Sequence, residues 1–294
     1  MVRSFARGEF PLHRLCEHKR ETVSVVLPAR EVADTVGAIV ESLLALDGLV
    51  DQVLVVDAAS EDGTADVAQR AGAEVRQQGD LLPEFGSIEG KGDAMWRSLT
   101  AVEGDIVAFI DADNRAPDPQ LVAGLLGPLL TSDAEFVKAA YRRPFVDAGI
   151  AIPDGGGRVN HLLARPLLSA FYPALGALRH PLAGEFAARR DLLVEIPFAT
   201  GYAVEMAMLI DILALKGPRA IAQVDLGTHH NSHKPLLALV PMAYEILGTV
   251  CARLRREQRL TGEALGSLQT LGGDDVEPPS IERPALASLR PVEG

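Results

Sequence analysis

Short apolar runs alternate with segments of helical period through the first half of the chain. Val and Leu dominate residues 22–27 and 52–56, and residues 106–110 are five consecutive apolar residues. Such runs are long enough for a strand buried on both faces and too short for a typical helix. Between the first two runs, apolar residues at 36–46 recur at helical spacing. This alternation predicts an α/β fold, a doubly wound and mostly parallel sheet with helices on both faces.

Polar residues follow each of these three predicted strands, and Pro28 is expected to end the first of them. In open α/β sheets, ligands bind at the carboxyl ends of the strands. Asp111 and Asp113 directly follow the third strand, and side chains two residues apart in an extended segment point the same way. Two such carboxylates suit Mg²⁺ or Mn²⁺, and such an ion commonly bridges the phosphates of a nucleotide. A solvated acidic loop is the alternative.

Two glycine-rich segments carry a cation. Lys91 stands between Gly90 and Gly92, so the backbone can approach a ligand closely and the lysine can bind an anion; an exposed loop lysine is the alternative. Residues 155–157 are glycines followed by Arg158. Backbone N–H groups at a helix N-terminus and a guanidinium suit a phosphate or carboxylate, whereas a flexible hinge with a surface arginine explains the same residues.

Two further segments of the second half carry candidate chemistry. Glu205 lies near the start of a predicted apolar helix, where it either stabilises the helix dipole or serves as a buried working acid. Residues 229–233 contain three histidines, which favours a metal ligand, although a single histidine there is more often structural.

Composition narrows the class of protein. The chain has 294 residues, 48% of them apolar, which is enough for one large domain with a full core, or one with a smaller appendage. The formal net charge of −12 argues against nucleic acid as a partner, because phosphate neutralisation needs a basic face. Neither Gly-x-Gly-x-x-Gly nor Gly-x-x-x-x-Gly-Lys-Ser/Thr is present, which argues against dinucleotide dehydrogenases and P-loop enzymes.

No run approaches the ~18 uninterrupted apolar residues of a membrane-spanning helix, and no secretory signal is visible. The two cysteines, Cys16 and Cys251, lie far apart without metal-ligand spacing. We therefore expect a cytoplasmic protein with no membrane partner.

The region from Val23 to about Leu236 resembles the retaining glycosyltransferases that make glucosyl-3-phosphoglycerate and mannosyl-3-phosphoglycerate. Motifs match that family in order and spacing at 25–29, 57–64, 90–99, 111–113, 137–144, 157–159 and 201–205. The resemblance implies a GT-A fold, a nucleotide-sugar donor with UDP-glucose favoured, 3-phosphoglycerate as acceptor, a Mg²⁺ or Mn²⁺ cofactor and a homodimer.

The resemblance also implies roles for individual residues. It places the donor on Pro28, Ala29, Arg30, Ser60, Lys91 and Asp111. It places the acceptor on Gly157, Arg158 and Asn160, and the metal on Asp111, Asp113 and Asn231. The catalytic residues would be Glu205, which matches a family acid near the transferred sugar, together with Asp111 and Lys91.

The chain departs from the family pattern at three places. Many glucosyl members have Asn-Glu-Glu where this chain has residues 31–33, Glu-Val-Ala. Asn160 stands where the family usually has Thr. Asn231 stands where the family's third metal ligand is often His; an Asn carbonyl oxygen can ligate Mg²⁺, and His230 or His233 is the alternative ligand.

Four segments are expected. Residues 1–20 form an N-terminal arm, poorly ordered unless it packs on the domain. Residues 21–140 form the nucleotide-sugar-binding GT-A half, and residues 141–260 form a helix-rich, acceptor-binding half. From 261 to 294 Gly, Pro, Asp and Glu dominate, which predicts a disordered acidic tail.

Other functions share parts of this pattern. A GDP-mannose-dependent mannosyl-3-phosphoglycerate synthase is the nearest alternative. A polyprenyl-phosphate sugar transferase would need a membrane helix or a basic amphipathic segment, and neither is evident. A nucleotidyltransferase would need a glycine-rich loop after the first strand, and residues 28–33 contain no glycine. A non-catalytic nucleotide-sugar sensor would not need both Asp113 and Lys91.

Overall fold

The computed structural model describes residues 2–113, 118–147, 150–228, 234–262, 267–269, 275–276 and 281–289. The strands are β1 (Arg3–Ala6), β2 (Val23–Ala29), β3 (Gln52–Asp57), β4 (Glu74–Gln77), β5 (Ile106–Phe109), β6 (Phe136–Arg142), β7 (Phe145–Asp147), β8 (Ile150–Ile152), β9 (Phe186–Arg189), β10 (Phe198–Ala199), β11 (Ile221–Thr228), β12 (Leu268–Gln269), β13 (Asp275–Val276) and β14 (Glu282–Arg283). The helices are α1 (Leu12–His18), α2 (Ala33–Leu44), α3 (Thr64–Arg70), α4 (Gly90–Ser98), α5 (Pro119–Thr131), α6 (Arg165–Phe171), α7 (Arg190–Glu195), α8 (Val204–Lys216) and α9 (Val240–Arg256).

Within the described residues, eight strands form one sheet in the order β1, β11, β6, β9, β5, β2, β3, β4. Neighbouring strands are parallel except at β9, which runs antiparallel to both β5 and β6. In the centre, β2 pairs Ala29 with Asp57 of β3 and Val26 with Phe109 of β5. The carboxyl ends of these three strands therefore meet at one edge of the sheet. The predicted α/β fold with a mostly parallel sheet is confirmed.

Pro28 does not end the first strand, contrary to the sequence prediction, since β2 continues through Ala29. Pairing with β5 stops at Val26, so Pro28 faces only Val56 of β3. A proline cannot donate a main-chain hydrogen bond, and it is tolerated where a strand has lost a neighbour on one side.

The central strands are buried on both faces, as their continuous apolar runs predict. Val26 and Phe109 pack with Trp96 of α4 in one apolar layer. Val25 packs with Ile39 of α2 in the layer on the opposite face. Because side chains of a strand alternate in direction, neighbouring residues enter different layers, and every position of the run must be apolar.

The N-terminal arm packs on the domain. Strand β1 extends the sheet by pairing in parallel with β11, with Arg3 opposite Ala222. Phe10 is buried against Gly127 of α5, where any Cβ would overlap the phenylalanine ring. Residues 2–20 therefore contribute an edge strand and part of the core, and the condition stated for the arm to be ordered is met.

The acidic tail predicted for 261–294 requires a correction, because residues 281–289 pack against the domain. Strand β14 pairs antiparallel with β10, and Arg283 is only 8% exposed. The indole N–H of Trp96 donates to the carbonyl oxygen of Pro284 at 2.8 Å. Composition pointed to disorder, but burial of a few specific side chains holds this segment in place.

Among the described helices, the segment Leu237–Arg256 is the one long and apolar enough to cross a bilayer, with a hydropathy of 1.4. Length and composition alone are weak evidence for a membrane span. The helix packs against α8, and its Arg253 forms an ion pair of 2.6 Å with Asp211 of that helix.

Candidate active site

A cleft of about 670 Å³ lies where β2, β3 and β5 end. We call it the sheet-edge cleft. The sequence-predicted residues that line it are Pro28, Ala29, Arg30, Lys91, Asp111 and Asp113. The lining residues that sequence analysis missed include Gln78 and Ile88, which come from the segment between β4 and α4, where the sequence has no recognisable period. The carboxyl-end position predicted for the ligand site is thus where the cavity lies.

Lys91, Asp111 and Glu205 form the charged centre of the sheet-edge cleft. The Lys91 ammonium lies 2.7 Å from Asp111 Oδ1 and 3.6 Å from Glu205 Oε1. Burial alone would lower the pKa of Lys91, but the charges of Asp111 and Glu205 outweigh it and raise the pKa. The ammonium is therefore charged at neutral pH, and the structure brings the three proposed catalytic residues together.

Two glycines allow this arrangement. A Cβ at Gly92 would overlap the carbonyl oxygen of Ala199, so only glycine lets α4 come this close to β10. A Cβ at Gly184 would lie 2.6 Å from both carboxylate oxygens of Asp111 and closer still to Lys91 Nζ. Sequence analysis missed Gly184, whose only local signal is its place just before a strand.

Two buried ionisable side chains lie behind this centre. Glu185 is fully buried, and burial together with the nearby charge of Asp111 raises its pKa. Lys138 is fully buried with its ammonium 5.1 Å from the ring centroid of Phe186, and burial lowers its pKa against the opposing effect of Glu205. Lys138 falls within the family-like motif at 137–144, but sequence analysis gave no role to Lys138 or to Glu185.

Ser60, predicted to contact the donor, does not line the sheet-edge cleft. Its hydroxyl donates to Asp57 Oδ1 at 2.6 Å and accepts a hydrogen bond from the main-chain N–H of Glu31 at 2.9 Å. Glu31 has a φ of 52°, in the left-handed region that disfavours side chains. Ser60 therefore ties together the loops that follow β2 and β3.

A second cavity, of about 210 Å³, surrounds the glycine-rich segment. We call it the glycine-loop pocket. Its walls include Gly157, Arg158 and Asn160, all predicted acceptor-site residues, together with Arg143, His180 and Lys234. The predicted helix starts at Arg158 and passes through a π-helical segment, Asn160–Ala164, before α6. Such π segments are frequent at functional sites.

Arg158 and Asn160 differ in how much of their polar surface is free for a ligand. The Arg158 guanidinium lies 5.2 Å from the ring centroid of Phe145 and donates to the carbonyl oxygen of Lys234. The Asn160 amide is used within the protein: it donates to the Arg179 carbonyl at 2.9 Å and accepts from the Leu182 N–H at 3.4 Å. Asn160 thus lies in the pocket wall, and its amide also holds the 179–182 turn.

The two cavities adjoin at Tyr202 and Lys234. Tyr202 lines the sheet-edge cleft, and Lys234 lines the glycine-loop pocket. The Lys234 ammonium donates to the Tyr202 hydroxyl at 3.1 Å and lies 4.9 Å from its ring centroid. A molecule in one cavity is thus placed beside a molecule in the other.

Asp111 and Asp113 provide hard oxygen donors, which fit Mg²⁺ or Mn²⁺. Among the described residues, no group of three or more His, Cys, Asp or Glu side chains is placed so that it could hold a metal ion. The third ligand predicted from the sequence, Asn231, and its alternatives His230 and His233 lie outside the described residues.

The sheet is mostly parallel, and two carboxylates and a lysine lie at its carboxyl edge beside a second, cationic pocket. This arrangement is typical of nucleotide-dependent transferases of the GT-A type. The model of the family "Glycosyl transferase family 2" matches residues 24–172. The chain belongs to this family and, within it, to the glucosyl-3-phosphoglycerate and mannosyl-3-phosphoglycerate synthases.

Three relatives illustrate the similarity. The chain is 43% identical over 278 residues to a glucosyl-3-phosphoglycerate synthase of Mycolicibacterium smegmatis, covering 92% of this chain and 90% of the relative. It superposes on the mannosyl-3-phosphoglycerate synthase of Rubrobacter xylanophilus with a TM-score of 0.88 and 47% identity, covering 98% and 96% of the two chains. For the Mycobacterium tuberculosis glucosyl-3-phosphoglycerate synthase in complex with Mn²⁺, UDP-glucose and phosphoglyceric acid, the TM-score is 0.87 at 38% identity, covering 98% and 99%.

Proposed function

We propose that this protein is a retaining glycosyltransferase that transfers glucose from UDP-glucose to 3-phosphoglycerate, giving glucosyl-3-phosphoglycerate. The observation that carries the proposal is the junction of the two cavities at Tyr202 and Lys234, one with a charged centre suited to a nucleotide diphosphate and one with cations suited to a phosphorylated acid. The complex of the M. tuberculosis relative with UDP-glucose and phosphoglyceric acid supports it.

In this proposal the sheet-edge cleft holds the nucleotide sugar. Departure of the nucleoside diphosphate builds negative charge, which fixed cations stabilise without reorganising. Lys91 supplies one such charge, held by Asp111 and Glu205. Asp111 and Asp113, with Asn231 as the proposed third ligand, would hold a Mg²⁺ or Mn²⁺ ion that neutralises the diphosphate when bound. The Mn²⁺ in complexes of the M. tuberculosis relative supports this assignment.

Glu205 lies beside Lys91, which lines the same cleft. Its side chain is only 7% exposed, and its one close cation is Lys91 among the described ion pairs. A buried carboxylate in this place orients the Lys91 ammonium, and the family resemblance implies an acid here near the transferred sugar. We assign Glu205 to the catalytic group on this ground.

The glycine-loop pocket holds the acceptor. Arg143, Arg158 and Lys234 contribute positive charge to its walls, in a chain whose formal net charge is −12. Local cations amid an acidic surface favour a small anion over a large polyanion such as nucleic acid. We further infer a cytoplasmic protein with no nucleic-acid or membrane partner. We also infer that it is a homodimer, and light scattering after gel filtration would test this oligomeric state.

GDP-mannose is the second candidate donor. It is favoured by the similarity to the R. xylanophilus mannosyl-3-phosphoglycerate synthase. Incubation of the enzyme with 3-phosphoglycerate and either UDP-glucose or GDP-mannose, followed by mass measurement of product and released nucleotide, decides between them. Product from GDP-mannose alone would reassign the donor, and no product from either would overturn the proposal.

Lys91→Ala is expected to weaken donor binding by ~1.5–3 kcal/mol, the usual contribution of a charged hydrogen bond. The reason is that the Lys91 ammonium, held at 2.7 Å by Asp111, faces the sheet-edge cleft. Calorimetric titration with UDP measures the change. Lys216→Ala is the matched control, since Lys216 pairs with Glu135 and Glu195 away from the cleft. Unchanged affinity of Lys91→Ala for UDP would refute the assignment.

Arg158→Ala is expected to raise the KM for 3-phosphoglycerate about tenfold to a hundredfold, with little change in the donor KM. Lysine at this position should rescue only in part, since it restores charge without the forked geometry. Wild-type enzyme should use 3-phosphoglycerate far better than glycerate or glycerol, which would leave the cations of the pocket unpaired.

Steady-state kinetics with each substrate varied in turn measures these effects. Arg165→Ala is the control, because Arg165 is exposed on the same helical segment and does not line the pocket. Equal use of glycerate and 3-phosphoglycerate, or an Arg158→Ala enzyme with the wild-type acceptor KM, would show that the glycine-rich segment is only a hinge.

A further inference from the structure

His180 is a buried polar side chain in the wall of the glycine-loop pocket that the roles assigned above do not use. It is 7% exposed, and it lines the pocket together with Gly157 and Arg158. Neither of its ring nitrogens has a hydrogen-bond partner among the residues that the structure describes. Buried polar groups in folded proteins are nearly always paired, so an unpaired imidazole in a cavity wall points to a ligand that completes it.

The surrounding residues hold the imidazole in one place. The Asn160 amide bridges the Arg179 carbonyl and the Leu182 N–H, and so fixes the turn that carries His180. The ring of Tyr141 lies 5.0 Å from the His180 ring, centroid to centroid, and that of His161 lies 6.0 Å away at a steep angle. A side chain fixed on both sides loses little further freedom when a ligand binds, which favours affinity.

The charge state of His180 follows from its surroundings. Burial lowers the pKa of His180 to about 4, and the nearby basic side chains of His161, Arg143, Arg179 and Arg165 act in the same direction. At neutral pH the imidazole is uncharged, with one nitrogen as donor and the other as acceptor. A neutral imidazole beside arginines can donate a hydrogen bond that orients a bound anion, and it adds no further positive charge to repel the arginines.

We propose that His180 donates a hydrogen bond to an anionic group of the acceptor and that Asn160 acts as the positioning residue that holds His180 for this contact. The inference rests on the proposed function of the glycine-loop pocket as the phosphoglycerate site. It adds His180 to the acceptor contacts that the family resemblance implies, beside Asn160, whose amide bonds the main chain.

The test compares His180→Leu, which removes the hydrogen bond, with His180→Gln, which keeps an uncharged donor and acceptor. His161→Leu is the control, because it changes the packing against His180 without changing a residue that lines the pocket. His180→Leu is expected to raise the KM for 3-phosphoglycerate and its calorimetric Kd about tenfold to a hundredfold, with the KM for UDP-glucose unchanged. His180→Gln should return both values to within a few-fold of wild type.

Several outcomes would overturn the inference, and one would overturn the proposed function alone. A wild-type acceptor Kd for His180→Leu would show that His180 makes no contact with the ligand. Equal changes in both KM values, or a glutamine variant as weak as the leucine variant, would show a structural role only. If the wild-type enzyme binds 3-phosphoglycerate with the expected dependence on His180 but transfers no sugar to it, the proposed function fails and the inference stands. Wild-type enzyme that does not bind 3-phosphoglycerate overturns both.

Discussion

Asp113→Ala is expected to lower the rate of sugar transfer by at least about a hundredfold while the protein stays folded. A divalent ion contributes several kcal/mol of charge stabilisation to a departing diphosphate, and each ~1.4 kcal/mol is a tenfold change in rate. Asp113 is exposed where the chain leaves β5, so its removal leaves the apolar layers intact. Asp111 also accepts a hydrogen bond from the Lys91 ammonium, so its removal would disturb Lys91 as well. Substitution of Asp113 therefore tests the metal site more directly.

Two measurements check this expectation. Turnover is followed in EDTA and after addition of Mn²⁺, and Mn²⁺ binding to the wild-type and variant proteins is measured by calorimetry in the presence of UDP. Asp47→Ala removes an exposed acid in the turn after α2 and serves as the control for the change in net charge. Full activity in EDTA, or the same Mn²⁺ affinity in wild type and Asp113→Ala, would contradict the metal assignment.

Asp93→Ala is expected to destabilise the fold by ~3–5 kcal/mol, the usual cost of removing one partner from a buried ion pair. Asp93 is completely buried. It accepts two hydrogen bonds of 2.8 Å from Arg283 and one of 3.1 Å from the fully buried Arg97. Without the carboxylate, both guanidinium groups stay in the interior and lose the acid with which each forms an ion pair.

The same substitution should reach the sheet-edge cleft. Arg97 donates to the carbonyl oxygens of Leu81, Leu82 and Gly86, and Arg283 donates to that of Phe85. Asp93 thus anchors the two arginines that hold the loop leading to α4 and Lys91. Urea unfolding measures the loss of stability, and UDP titration measures the effect on the cleft. Glu84→Ala, an exposed acid of that loop, is the control and should change neither.

The contribution of Asp93 also depends on pH in a defined direction. Burial alone would raise the pKa of Asp93, but the hydrogen bonds from Arg283, the Glu89 main chain and Arg97 outweigh it and lower the pKa from its usual 3.8. A carboxyl with a lowered pKa in the folded state stabilises the fold at neutral pH and loses that effect as the pH falls below about 4. The stability difference between wild type and Asp93→Ala should therefore shrink in acid, and a constant difference from pH 7 to pH 3 would contradict this account.

The sequence by itself determined the elements that depend on neighbours in the chain. Residues 106–110 had to form a strand buried on both faces, because a continuous apolar run has no polar side to expose. Asp111 and Asp113 had to follow it at the carboxyl edge. Glycines on both sides of Lys91 similarly marked a close approach of backbone, and the structure places that lysine 2.7 Å from Asp111.

The tertiary structure alone decided the contacts between distant segments. Periodicity shows which face of an element is buried but not which element covers it, so the antiparallel insertion of β9 between β5 and β6 had no local signal. Composition predicted a disordered tail, yet Arg283 of this tail donates a hydrogen bond to Asp93. A buried carboxylate is stable only when it is paired, and its partner can come from a distant part of the chain. In the glycine-loop pocket, the Asn160 amide bonds the main chain, whereas the His180 ring nitrogens have no partner among the described residues. This difference depends on groups that are distant in sequence and close only in the folded chain.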